Sequence, residues 1–185
     1  MKGADVISQL NDVLDGDELI VSSNGNVSRQ TYHLLPGSQI YLRGSMGLPV
    51  SVGLGLALAH PEKTVIVLTG DGNFLMGLSS MVTVSYLSPP NLKIIILDNQ
   101  LYATTGGQET TSSKINYKTM IEGMRITNVR SFDFRDLDHN LEELFLESLR
   151  YEGLDVLHLQ VEEDTLELDN IPLHPEQITK NFQNR

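Results

Sequence analysis

The chain has 185 residues, 40% of them hydrophobic, enough to bury one substantial core in a single domain. Its formal charge of −11, from 24 acidic and 13 basic residues, repels nucleic acid and anionic membrane and argues against a reader of phosphate backbones. There is no cysteine, and so no disulfide, no thiolate nucleophile, no thiolate zinc site and no cysteine-ligated iron–sulfur cluster. Residues 1–17 carry acids on an amphipathic pattern where a secretory signal needs a basic segment and an apolar core. No apolar stretch reaches membrane-spanning length, so the expectation is a cytoplasmic protein with no membrane partner.

Along the chain, helix-like and strand-like apolar periods alternate, which predicts a mostly parallel sheet with helices on both faces. Val6, Leu10, Val13 and Leu14 share one helical stripe, and Glu18 to Ser22 reads as a first strand. After the turn Ser23, Asn24, Gly25, Asn26 comes a short helix through Tyr32 and Leu35, then a second strand from Gln39 to Leu42. Met46 to His60 is predicted helical. Its Gly47, Gly53 and Gly55 are costly in an isolated helix but suit close backbone packing in a buried, central one. A strand from Thr64 to Thr69, a helix from about Leu75 to Tyr86 and a strand from Leu92 to Leu97 follow, with Pro89 and Pro90 marking a break. The polar loop from Gln100 to Ser113 is too long for a plain connection. Ile126 to Val129, a helix from Leu137 to Arg150, and Val156 to Val161 complete the sheet. No repeat and no second domain is visible. Residues 1–161 read as the domain, and the acidic, proline-punctuated segment 162–185 as an arm lying on the surface or on a partner.

Two strands end in hard oxygen donors. Gly70, Asp71 and Gly72 close the first, and Asp98 and Asn99 close the second, with Asp98 lying 26 residues beyond Gly72. Open α/β sheets bind ligands at the carboxyl ends of their strands. One carboxylate with one amide carbonyl is a sparse donor set, suited to magnesium shared with phosphate groups, so the spacing suggests a diphosphate cofactor bound through a metal. Glycine, aspartate, glycine alone is most often only a turn, and a lone Met46 is most often core; the flanking strands and the Gly44 to Gly47 segment favour the site. His33, His60, His139, His158 and His174 fall in no motif and read as structural or surface residues.

Gly70, Asp71, Gly72 and Asn73, with Asn99 at this distance, resemble the thiamine diphosphate signature. The resemblance extends to Ser23, Asn24, Gly25, to Gly44, Ser45, Met46, Gly47, and to the run from Asp98 through Tyr102 to Gln108. Together these are similar to the diphosphate-binding β subunits of sulfopyruvate decarboxylases and the equivalent half of phosphonopyruvate decarboxylases. The resemblance implies a three-layer α/β thiamine diphosphate-binding fold. It also implies that Asp71, the Asn99 side chain and the Leu101 carbonyl ligate Mg2+, with Gly25, Asn26, Gly70, Gly72 and Asn73 around the diphosphate. Gly44 would accept from the cofactor's 4′-amino group, Ser45 and Tyr102 would adjoin the cofactor, and Met46 would be the wedge that bends it. Gly44 and Met46 are thus the implied catalytic positions. Tyr102, Thr104 and Thr105 read equally well as loop surface. The chain departs from the resembled pattern at Gln100, where glycine or alanine is common; Gln100 and Leu101 are expected to narrow the pocket.

The function implied is decarboxylation of a small acidic 2-oxo acid, 3-sulfopyruvate first and phosphonopyruvate next, as one half of a split active site. The other half would be an α subunit supplying the glutamate that activates the pyrimidine ring. The isolated chain is then expected to be inactive, to expose an apolar patch around the Gly44–Met46 and Asn99–Gly107 loops, and to form a homo-oligomer. A subunit of an acetohydroxyacid synthase or of a 2-oxoacid:ferredoxin oxidoreductase shares the cofactor, and a non-catalytic assembly or regulatory module shares the fold. Missing cysteine weighs against the oxidoreductase, and the missing pyrimidine-side domain against a self-sufficient synthase.

Overall fold

Val65 and Val67 belong to a core on one side of the sheet, and Ile66 and Leu68 to a second core on the other. This alternation comes from a computed structural model that describes residues 1–35, 37, 39–133, 140–164, 166 and 168–184. A strand buried on both faces reads as a continuous apolar run and demands a layer of helices on each side. In chain order the elements are α1 (Gly3–Asn11), β1 (Leu19–Ser22), α2 (Asn26–Leu34), β2 (Ile40–Tyr41), α3 (Pro49–Ala59), β3 (Val65–Gly70), α4 (Asp71–Met76) and α5 (Ser80–Leu87). There follow β4 (Leu92–Asp98), β5 (Leu101–Tyr102), β6 (Gln108–Glu109), α6 (Tyr117–Glu122), β7 (Val129–Asp133), α7 (Leu141–Arg150), β8 (Asp155–Gln160) and α8 (Pro175–Gln183).

Six strands form one sheet in the order β2-β1-β3-β4-β8-β7, with every pairing parallel. Between β1 and β3 the order reverses, because the chain runs outward to β2 and then crosses back to the other side of β1. Val50, Leu54 and Ala57 of α3, Met81 and Val84 of α5, and Tyr117 and Ile121 of α6 cover one face. Val6, Ile7 and Leu10 of α1 and Leu141, Leu144 and Phe145 of α7 cover the other. The three-layer fold expected from the sequence is therefore present. No helix among the described residues is long and apolar enough to cross a membrane.

Several boundaries differ from the sequence expectation. Val13 and Leu14 pack on the same core as α1 but lie past its end. The helix expected from Met46 starts at Pro49, whose missing N–H suits a first helical turn. It is not buried all round: Gly53 approaches the sheet so closely that a Cβ would lie 2.1 Å from Val67 Cγ2, whereas Gly55 faces open space and Leu58 is 52% exposed. The helix expected over Leu75 to Tyr86 is two helices, α4 and α5, broken at Gly77 to Ser79. The strand expected at Ile126 to Val129 begins only at Val129. β7 is an edge strand paired with β8 alone, and polar residues such as Arg130, Ser131 and Asp133 hide it from an apolar-run reading. Of the helix expected from Leu137, residue 137 lies outside the described residues, as does His139; α7 starts at Leu141, capped by the Asn140 side chain.

The long loop after β4 folds into the antiparallel β5–β6 hairpin and a 3-10 turn at Ser112–Lys114. Within the C-terminal arm, Ile171 and Ile178 are buried beside Tyr41 next to the β2 edge, so the arm lies on this chain's own surface. Asp164 fastens it further, accepting from Ala4 N at 3.0 Å and from Gln30 Nε2 at 2.8 Å.

Candidate functional site

The reversal of strand order leaves a crevice outside the carboxyl ends of β1 and β3, the position where open parallel sheets bind ligands. Three loops meet there. Ser23 Oγ accepts from Gly70 N at 3.3 Å, joining the β1 loop to the end of β3. Asn73 ties in the others: its Nδ2 donates to Asn24 Oδ1 at 2.5 Å, and its Oδ1 accepts from Gly47 N at 2.8 Å. The result is an open cleft of about 130 Å³.

Of the residues singled out in the sequence, Gly25, Asn26, Met46, Gly70, Asp71, Gly72, Asn73, Asn99, Leu101 and Tyr102 line this one cleft. Thr104 and Thr105 line it too. Gly44 and Ser45 do not: both are exposed on the rim, where Ser45 takes a left-handed φ of 59° that turns the segment outward before Met46 returns. Gln100 is likewise absent from the lining, so the expected narrowing falls to Leu101 alone. Gln100 instead adopts a φ of 61°, the conformation that favours the glycine common there.

Asp71 opens α4 with its side chain 2% exposed, and its carboxylate accepts from the Thr110 hydroxyl. Burial pushes its carboxyl up to about 6, against the lowering effect of the Thr110 bond, and the nearby Asp98 charge adds to the rise. Asp98 itself is held by the Ser112 hydroxyl and by His158 Nε2 at 2.9 Å. The His158 ring stacks on Tyr117 at 4.0 Å between centroids, its Nδ1 lies 2.7 Å from Ser131 Oγ, and Ser112 Oγ is 3.0 Å from the Tyr117 hydroxyl. Burial raises the Tyr117 phenol far above its usual range, so it stays neutral.

The donor set fits a divalent cation. Asp71 is a buried carboxylate that makes no ion pair among the described residues, with a second carboxylate acting on it; a cation there relieves both costs. Asn99 Oδ1 accepts from Leu101 N at 3.0 Å, which orients the amide and leaves one lone pair for a metal. Gly72 completes the cradle: a Cβ there would lie 2.3 Å from Tyr102 Cε1. Sequence reasoning passed over Thr110, Ser112 and the His158 pairing, since a hydroxyl in a polar loop carries no periodic signal. It also missed Gly3, Gln30, Glu162 and Asp164, which bring α1, α2 and the arm to the cleft wall.

Residues 23–158 match the family described as thiamine pyrophosphate enzyme, C-terminal TPP binding domain. The chain is 37% identical over 179 residues to sulfopyruvate decarboxylase subunit beta of Methanothermobacter thermautotrophicus, covering 96% of this chain and 91% of that one. It is 33% identical over 172 residues to phosphonopyruvate decarboxylase of Streptomyces viridochromogenes, covering 92% of this chain but 42% of that protein. The fold is similar to that of a 2-oxoglutarate:ferredoxin oxidoreductase from Magnetococcus marinus, with TM-score 0.71 over 88% of this chain and 63% of the other. At 19% identity that likeness is one of fold.

Proposed function

The chain belongs to the thiamine pyrophosphate enzymes, as their C-terminal cofactor-binding domain, and from this we propose that it is the diphosphate-side β subunit of a cytoplasmic carboxy-lyase. Its substrate is a small acidic 2-oxo acid, 3-sulfopyruvate before phosphonopyruvate, and its partner is an α subunit. The observation that carries the reading is the meeting of Asp71, Asn99, Leu101 and Met46 in one cleft at the ends of two paired strands.

Each residue has a part. Asp71 and Asn99 offer side-chain oxygens, and Leu101 its carbonyl, to Mg2+, while Gly72 and the start of α4 admit the diphosphate at close range. Asn73 holds the Asn24 and Gly47 loops against that end, fixing Met46 relative to the metal ligands. Met46 would supply apolar bulk against the cofactor's rings, and the Gly44 carbonyl on the rim would be the acceptor for its amino group. When bound, thiamine diphosphate supplies the electron sink for loss of carbon dioxide. Proton transfer at its pyrimidine ring needs a glutamate, and the cleft's other acids do not suit that role. Glu162 pairs with the N-terminal ammonium at 3.3 Å, and Asp164 is committed to Ala4 and Gln30.

That glutamate comes from the partner subunit, and a broad apolar surface supports such association. Leu48 is 46% exposed, Met76 61% and Val82 63%, and Tyr86 is also open to solvent. Leu48 lies just before α3 and Met76, Val82 and Tyr86 lie on α4 and α5, and Leu48 and Met76 adjoin the Gly44–Gly47 segment, beside one of the two loops around which the sequence reading expected the patch, the other being Asn99–Gly107. Without the partner this surface drives the chain to a homo-oligomer. The test is carbon dioxide release from 3-sulfopyruvate by the chain with and without its α subunit. Release only by the pair is expected, and release by the chain alone overturns the split-site reading.

A further inference from the structure

A second hollow adjoins the cleft and is lined by Gly25, Ser28, Arg29, Arg43, Asn170 and Ile171. Gly25 borders both spaces. Arg29 projects from the first turns of α2, and Arg43 immediately precedes Gly44. Each guanidinium is steadied by a neutral oxygen: Arg29 Nη2 donates to Asn170 Oδ1 at 2.7 Å, and Arg43 Nη1 to the Leu173 carbonyl at 2.9 Å. Neither forms an ion pair among the described residues, in contrast to Arg130, which holds both Glu147 and Asp155. Glu163, Asp164 and Asp169 border a hollow on the other flank of Arg29, and none forms an ion pair with it among the described residues; Asp164 is committed to Ala4 N, Gln30 and Leu166 N. In a chain of net charge −11, two forked cations facing one hollow with neutral partners form a site waiting for an anion.

We propose that Arg29 and Arg43 bind the second acidic group of the substrate, the sulfonate or phosphonate oxygens remote from the carboxylate that is lost. This rests on the function proposed above and identifies the residues that would select for an acidic 2-oxo acid. The position is apt. Gly25 is assigned to the diphosphate end of the cofactor and Gly44 to its pyrimidine end, so a hollow bounded by Gly25 and Arg43 adjoins the region between them. Three terminal oxygens of a sulfonate match two guanidinium forks, whereas the methyl group of pyruvate offers them nothing. The buried metal site at Asp71 handles the diphosphate separately, which leaves these arginines free for substrate.

The experiment uses the chain assembled with its α subunit, thiamine diphosphate and Mg2+, and a double variant, Arg29→Gln with Arg43→Gln. Loss of two charge-assisted contacts should raise KM for 3-sulfopyruvate about 30-fold or more while kcat changes less than about threefold, the pattern of lost ground-state binding. Competitive inhibition by sulfoacetate, a sulfonate with no keto carbon, should weaken by roughly the same factor. Replacing both arginines by lysine should restore part of the affinity, since charge remains but the fork does not. An unchanged KM overturns the proposal. So does loss of thiamine diphosphate affinity, which would assign the arginines to the diphosphate, or loss of subunit association, which would assign them to an acid of the partner. If the wild-type complex turns over neither acidic substrate, the functional reading fails by itself. Calorimetric binding of sulfoacetate to wild type and double variant then decides the subsite: arginine-dependent binding supports it, and equal or absent binding overturns it.

Discussion

Thr110 donates its hydroxyl hydrogen bond to Asp71 across a separation of 39 residues, joining the loop after β6 to the start of α4. The bond favours the charged carboxylate that a metal requires and opposes the burial that disfavours it. Thr110→Val should weaken Mg2+-dependent thiamine diphosphate binding roughly tenfold at pH 7, the scale of one hydrogen bond to a charged group. Thr110→Ser should stay close to wild type. Calorimetric titration of the three proteins checks this, and equal affinity for wild type and the valine variant would show the bond to be incidental.

Asp71 also sets a pH dependence. Its carboxyl is raised to about 6 from 3.8, first by burial and then by Asp98, so the folded apo chain keeps a proton that the unfolded chain releases. Apo stability is therefore fully present near pH 4 and falls as pH rises toward 6, by on the order of 3 kcal/mol at most. Asp71→Asn should melt higher than wild type at pH 7, with little difference at pH 4. The same variant should bind no cofactor in a Mg2+-dependent way. For wild type, that affinity should drop about tenfold per pH unit below 6, because proton and metal compete for one carboxylate. Melting curves and titrations between pH 4 and 8 would reveal either slope, and a flat profile would contradict the assignment.

Gly72 and Tyr102 cannot both remain in place once a side chain is added at position 72. A Cβ would lie 2.3 Å from the Tyr102 ring, so Gly72→Ala should displace the β5–β6 hairpin and cost about 1–3 kcal/mol. Adding Tyr102→Ala should recover most of that stability, and a denaturant melt of the double variant measures the coupling. Additive losses would mean that the two residues do not touch in solution.

Met46 lines the cleft on a loop tied to Asn73 through Gly47, apart from the metal donors. In the assembled enzyme Met46→Ala should lower turnover at least tenfold while cofactor affinity changes less than about threefold, because small misplacement of reacting groups is costly in rate. Steady-state kinetics beside calorimetry separate the two effects. Full turnover in the variant would make Met46 ordinary packing.

Much of this was legible because parallel strands buried on both faces write themselves as apolar runs, and Asp71 and Asn99 stand directly after two such runs. Met46 was legible through the glycines around it. What escaped has physical causes. The apolar residues Phe74, Leu75, Met76, Leu78 and Met81 on both sides of Gly77 concealed the break there, and the one-sided pairing of β7 left it polar. His158 looked idle because its partner, Asp98, is 60 residues away on the neighbouring strand, and only sheet pairing brings them within 2.9 Å. Gly44 and Ser45 carry the motif yet stand on the rim, since a motif records residue types and not which way a loop turns.

Gly70 is the register partner of Leu97, so the last steps of β3 and β4 lie side by side in the ladder. Asp71 and Asn99 leave the sheet from that shared edge. The gap between them is consequently ruled by the strand-to-strand repeat of about 4.8 Å and not by the length of any loop. Insertions and deletions in the hairpin turn, from Thr104 to Gly107, can reshape the mouth of the cleft without changing that gap. Chain length can therefore drift in that turn but not between the strand ends and Leu101, Tyr102 and Thr110, which are held against them.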